Sequence, residues 1–223
     1  MADGGTYRTA GRQSDAVAQQ TRQRIVQSAR TVFAARGFEG VSLRDIAEHA
    51  GVTHGLLRHH FGSKEDIWRA VIDVTVANYL AELTPLLAAE GESSPAQMLR
   101  AAARLLIRTT ARQPDVTRLL MHEGIVGGPR LDYFMQQIAP IRARLAIRFQ
   151  AVQREGGLPQ FSEDTFLLAL LMLGAIPFAL GSFSNALCQF DLAAPAQVEA
   201  HAERVLATLF PETTEKKNDR ITG

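Results

Sequence analysis

Apolar residues recur at helical spacing along most of this chain, and strand-like alternation is absent. The clearest stretch is Ser42 to Phe61. Leu43, Ile46, Ala47 and Ala50 fall at i, i+3, i+4 and i+7, which is one face of a helix. Ser42 stands where an N-cap belongs, and Asp45 three residues later completes a capping-box pattern. Gly51 follows where a helix wants a left-handed residue. Val52 reads as buried, and Thr53 caps a second short helix. That helix buries Leu56, Leu57 and Phe61 and leaves His54, Arg58 and His59 to solvent. Two short helices with a glycine turn, the second bearing cationic and hydrogen-bonding side chains, describe a helix-turn-helix.

The same periodicity predicts helices on either side. Arg22 to Arg36 is the first, with Ile25, Ala29, Val32 and Phe33 on one face; Gly37 stops it and Phe38 folds back on the same core. Ser63 caps a long fourth helix from Lys64 to about Leu83, with Pro85 marking its end. Ser94, Pro95 and Gln97 start a fifth helix that runs to Arg112. Asp115 opens a sixth, ending near Gly124, and Leu131 to Glu155 is a seventh with a kink expected at Pro140. Ser162 to about Leu187 reads as one very apolar eighth helix, and Pro195 to Leu209 as the ninth. Residues 1–20 are expected to be a disordered arm, in which Arg8 and Arg12 either enter a DNA minor groove or belong to an inert tail. Residues 212–223 are a polar tail. The fold class is all-α.

Composition narrows the class. The 223 residues are 46% hydrophobic with near-zero mean hydropathy, as in a soluble globular protein. Net charge is only +1, so the chain is no uniformly basic nucleic-acid coat. The charge is uneven, however: residues 1–69 hold ten basic and seven acidic side chains, a net +3, and the remainder carries −2. The single cysteine, Cys188, excludes an intrachain disulfide and reads as a small buried hydrophobe. No apolar signal-peptide core precedes Gln13, and the longest apolar run, Phe166 to Leu180, falls short of a bilayer span. A cytoplasmic protein with no membrane partner is expected.

The run Gly51-Val52-Thr53-His54-Gly55-Leu56-Leu57-Arg58-His59-His60-Phe61, followed by Ser63-Lys64-Glu65, resembles the signature of the TetR family of transcriptional regulators. Ala34-Ala35-Arg36-Gly37-Phe38, Val41-Ser42 and Asp45-Ile46-Ala47 upstream match as well, so the resemblance covers about Thr21 to Ile72. Arg58 and His60 stand where that family commonly has tyrosine. The resemblance implies a three-helix DNA-binding domain at 21–62, a connecting helix at 63–83, and a ligand-binding and dimerisation domain at 84–211, nine helices in all. It implies a homodimer that reads a palindromic double-stranded operator and is released by a small effector. His122-Glu123-Gly124 and Gly128-Pro129-Arg130-Leu131-Asp132-Tyr133 are similar to one subset of such regulators.

Candidate DNA contacts follow. Thr53 and the free N–H groups at the start of its helix suit a phosphate. His54 and Gly55 lie where base edges are closest, and Gly55 permits close approach. Arg58 either pairs with guanine or clamps a phosphate. His59 and His60 complete the helix, while Ser42, Arg44 and Lys64 are further phosphate candidates, with capping alone sufficient to explain Ser42. The three histidines lack the i, i+4 spacing of a helical metal pair, and no cofactor is expected. Met121, Phe134, Met135, Ile138, Phe178 and Phe183 are candidates to line an apolar effector cavity, with His122 and Glu123 as its polar groups. Gly174 and Gly181 are expected to let the eighth helix, with the ninth, form the dimer face. A helix-turn-helix module without an effector is the alternative. A helical enzyme is the other, but no nucleophile–base pair, phosphate loop or metal cluster in the sequence supports it.

Overall fold

The computed structural model describes the backbone over residues 6–88, 93–158 and 162–211, with side chains from residue 15 onward. Arg8 and Arg12, as side chains, and the 212–223 tail lie outside the described residues. The regular elements are helical: α1 (Thr6–Arg36), α2 (Leu43–Ala50), α3 (His54–Phe61), α4 (Lys64–Ala88), α5 (Pro95–Arg112), α6 (Pro114–Val126), α7 (Pro129–Arg154), α8 (Glu163–Leu170), α9 (Ile176–Ala179), α10 (Gly181–Cys188) and α11 (Pro195–Leu209). They form two units. Met1–Thr75 with Arg118–Tyr133 make the first; Val76–Thr117 with Phe134–Gly223 make the second. The division is therefore not a single point near residue 62 or 83, because the corner from α6 to α7 belongs with the helix-turn-helix.

In the first unit, α1 buries Ile25, Ala29, Val32 and Phe33, α2 buries Ile46 and Ala47, and α3 buries Leu57 and Phe61. Ile67, Trp68, Val71 and Ile72 of α4 close this core. Each of the large side chains contributes roughly 1.5–3 kcal/mol on burial. Phe38 does fold back, stacking on Phe33 with centroids 5.6 Å apart. The expected disordered arm is corrected in part: α1 begins at Thr6, not Arg22. Asp15 to Gln20 are all exposed, so burial does not hold this extension. Its alanines and glutamines are good helix formers, and the packed second half supplies the nucleus onto which they add.

The second unit has its own core. Leu99, Ala103 and Ile107 of α5, Phe149 and Val152 of α7, and Phe166 and Leu170 of α8 meet Val198, Ala202, Val205, Leu206 and Leu209 of α11. Phe166 stands between Phe149 and Phe210, at 5.3 and 5.5 Å between centroids. Pro85 does not end α4, which continues to Ala88. Leu83 and Leu87 on either side of it are buried, and their packing offsets the one helix hydrogen bond that proline removes.

The eighth helix is not continuous. α8 gives way to a π-helical turn at Leu171–Ala175, then α9, and α10 departs at 91°. The 91° bend falls at Leu180, and Pro177 accounts for the break before α9. It has no N–H for the carbonyl of Leu173, and His201 Nε2 of α11 meets that oxygen instead at 2.8 Å. Ser184 Oγ donates to the Pro177 carbonyl at 2.7 Å and holds the return. Gly174 is not at a dimer face. A Cβ there would lie 2.8 Å from Ile107 Cγ1, so the glycine serves the approach of the π-helical turn to α5 within one chain. Gly181 faces open space. Gly174→Val is expected to lower unfolding free energy by about 1–3 kcal/mol through overpacking, measurable by urea denaturation; unchanged stability would remove this assignment.

Candidate nucleic-acid interface

The helix-turn-helix is built by caps. The Ser42 backbone N–H donates to Asp45 Oδ2 at 2.7 Å, and the Asp45 N–H donates to Ser42 Oγ at 3.2 Å. Arg36 Nη1 donates to Asp45 Oδ1 at 3.1 Å. The Ser42 hydroxyl and backbone hold the Asp45 carboxyl down from 3.8 to about 2, with Arg36 adding to the effect. Its folded value is depressed, so this cap contributes fully above the unfolded value near 3.8 and is lost as pH falls through about 2. An NMR titration of Asp45 is expected to show this low midpoint, and Ser42→Ala to move it up towards 3.8. A midpoint that Ser42→Ala leaves in place would refute the cap.

Gly51 sits at φ 62°, ψ 39°, and its turn closes with the Val52 N–H on the Ala47 carbonyl at 3.0 Å. Thr53 Oγ1 then accepts from the Leu56 N–H at 3.2 Å and starts α3. Leu57 and Phe61 face inward, with Arg22 4.9 Å over the Phe61 ring. His54, Gly55, Arg58 and His59 are exposed on the other side; at 100° per residue they span an arc of about 140° with Arg58 inside it. Gly55 has nothing within 4 Å of where a Cβ would sit. Among the described residues, neither Arg58 nor Arg44 has an acidic partner. An exposed face of unpaired cations and imidazoles, beside the unbonded N–H groups of the first turn, suits a polyanion.

Three expected placements differ. Leu56 is 39% exposed, so it borders this face and is not core. His60 is half-buried, with its ring 6.4 Å from Phe61, and stands off the exposed arc. Lys64 is turned inward: Nζ donates to the carbonyls of Phe38 and Val41, both at 2.9 Å, and lies 4.2 Å from the Phe38 centroid. It braces the turn between α1 and α2 and is not presented as a phosphate contact. Ser42 is exposed, and its hydroxyl is occupied by the cap.

Residues 25–71 match the family described as bacterial regulatory proteins, tetR family. Over that stretch the chain carries the DNA-binding region of the tetR family. Among curated TetR-like relatives, RutR of Escherichia coli K12 is 32% identical over 127 residues, 57% of this chain and 58% of its own length. SrpR of Pseudomonas putida is 43% identical over 61 residues, 27% of this chain and 29% of its own. The chain thus spans under two thirds of these relatives. Two solved structures share the fold over most of both chains. The hemolysin II regulator HlyIIR has a TM-score of 0.67 at 20% identity, covering 87% of this chain and 99% of that one. AibR, in complex with isovaleryl coenzyme A and operator DNA, has 0.69 at 18%, covering 86% and 100%.

The expected effector residues are divided between the two units. Met121 and His122 belong to the first unit, where the His122 ring lies against Gly37. Phe134, Met135 and Ile138 belong to the second, with Met135 exposed. Phe178 is buried against His201, their ring centroids 5.4 Å apart, and Phe183 is 66% exposed. Glu123 is buried and bonded to Arg130, so it is not a free polar group of a cavity. One cleft of about 380 Å³ in the second unit is lined by Ile176, Leu180, Phe183, Leu187 and Phe190, with His201 and Arg204 as polar members. Phe183 alone of the eight lies on it. Sequence reading passed over Arg204 because a charge on an amphipathic helix carries no sign of what folds beside it.

Proposed function

We propose that this chain is a homodimeric transcriptional repressor that binds a partly palindromic double-stranded operator, works in the cytoplasm and is released by a small, mostly apolar effector. The observation that carries this reading is the outward face of α3. His54, Gly55, Arg58 and His59 are held exposed on a capped, glycine-turned frame that matches the TetR family, with no acidic partner for Arg58 among the described residues. Such a helix docks in a major groove. The reading requires no cofactor and no catalysis.

Exposed apolar side chains support the dimer. Leu168, Leu171 and Met172 stand 45–56% exposed along α8 and the π-helical turn. α11 contributes less than the linear reading expected: its apolar side is inside the second unit, and its Glu199 and Glu203 pair with Arg108 and Arg104. α4 is long and apolar enough to cross a bilayer by composition. Its Ile67, Trp68, Val71, Ile72 and Leu83 are buried in protein contacts, which supports the reading without a membrane.

The cleft beside α10 and α11 supports an effector with an apolar body and one anionic group. Arg204 has no acidic partner among the described residues. The bound isovaleryl coenzyme A of AibR is consistent with this class. Release is by population shift, so the effector binds the DNA-free dimer more tightly than the complex. Footprinting on DNA flanking its own gene is the test. Two half-sites about 34–36 Å apart, filled by one dimer with steep salt dependence, are expected. A single half-site held by a monomer would overturn the reading. A dimer that no apolar anion releases would leave the simpler helix-turn-helix module.

A further inference from the structure

The corner between α6 and α7 carries chemistry that the operator face does not use. Glu123 is 2% exposed, and its Oε2 accepts from Arg130 Nε at 2.9 Å. Arg130 is 17% exposed along its side chain and also reaches Glu39, at 3.5 Å. Its guanidinium carbon stands 3.9 Å from the centroid of Phe38. Lys64 addresses the same ring at 4.2 Å and bonds the carbonyls on either side of the turn. Phe38 is thus held by two cations and by its stack on Phe33. The turn it belongs to leads directly into Ser42, the N-cap of α2. All of these residues lie within the first unit.

A buried carboxylate without its partner is costly, so Glu123 fixes where the Arg130 side chain lies. A planar guanidinium over an aromatic face is oriented as well as attracted. The chain of contacts runs from Glu123 through Arg130 and Phe38 to the 37–41 turn and the cap of α2. We propose that Arg130 is a positioning residue for operator binding, acting through Phe38 to fix the turn that sets α2. α6 enters this corner from Pro114 and α7 leaves it towards Arg154. The role rests on the DNA-binding reading; the clamp itself does not.

The full chain with Arg130→Lys is the first variant. It keeps the charge beside Glu123 and removes the flat stacking group. Phe38→Leu and the double variant complete a cycle, and Glu123→Gln with Arg130→Met removes both charges together, in case one change alone prevents folding. Amide hydrogen exchange over residues 37–45, without DNA, reads the clamp; operator titrations at several salt concentrations read the positioning. Arg130→Lys is expected to raise exchange at Gly37, Val41 and Ser42 and to weaken the operator roughly tenfold. The slope of affinity against salt should stay unchanged, since the Arg130 guanidinium is engaged by Glu123 and Phe38. The double variant should lose no more than the worse single one. Wild-type protection and wild-type affinity in Arg130→Lys would overturn the proposal. So would additive losses, or a salt slope lowered by about one, which would make Arg130 a phosphate contact. A wild-type chain that binds no operator ends the DNA reading and the positioning role with it, while the exchange result still decides the clamp.

Discussion

Met172→Glu is expected to split the dimer and abolish operator binding in one step. Met172 is half exposed in the π-helical turn, beside Leu168 and Leu171, and it is an outward position where the neighbouring Ala175 is buried. A charge at Ala175 would damage the core of the chain itself, whereas one at Met172 would meet only the partner of the proposed dimer. In a two-fold interface each substitution occurs twice. Burying an unpaired carboxylate costs on the order of 3 kcal/mol, so the pair weakens association by about 6 kcal/mol, or roughly four decades. The monomer should keep its helical content, because Met172 makes no part of the second unit's buried cluster. Sedimentation velocity together with operator titration is the measurement. A variant that stays dimeric at micromolar concentration would place the interface elsewhere on the surface.

Arg58→Ala is expected to lose about 1–3 kcal/mol per half-site and to relax preference at one base pair of each. Arg58 lies between His54 and Gly55 on the exposed arc of α3, and no acidic side chain among the described residues engages it. That placement, inside the arc and clear of its edge, favours a base edge over the sugar-phosphate rim. Binding measured against a panel of operators, each with one changed pair, separates the possibilities. Equal weakening on all sequences with a salt slope lower by about one would make Arg58 a phosphate clamp. Unchanged affinity would make it a solvated surface charge.

Much of this was legible along the chain, and the reason is range. Capping, helical periodicity and turn chemistry act over three to seven residues. Ser42 with Asp45, Gly51, Thr53, and Ser94 with Gln97 therefore declared their helix ends in sequence, and the structure has those caps. The inward side of α3 followed from the same local period, through Leu57 and Phe61. The family resemblance was legible because it rests on the contiguous run from residue 25 to 71.

Tertiary contacts decided the rest. Lys64 looks like a phosphate ligand until the Phe38 and Val41 carbonyls, more than twenty residues earlier, are brought to its ammonium group. Gly174 looks like a small residue for a partner helix until Ile107, 67 positions away, occupies its face. The apolar segment from 163 to 188 looks like one helix because hydrophobicity has no direction. Pro177 interrupts it, and only α11 supplies His201 to satisfy the carbonyl this leaves. Arg130 is an ordinary surface arginine in sequence. It becomes a brace because a carboxylate seven residues before it is buried and an aromatic ring ninety-two residues before it lies beneath. Local order is encoded where the chain makes it, whereas the partner of a charge or a glycine is chosen by whatever the fold places opposite.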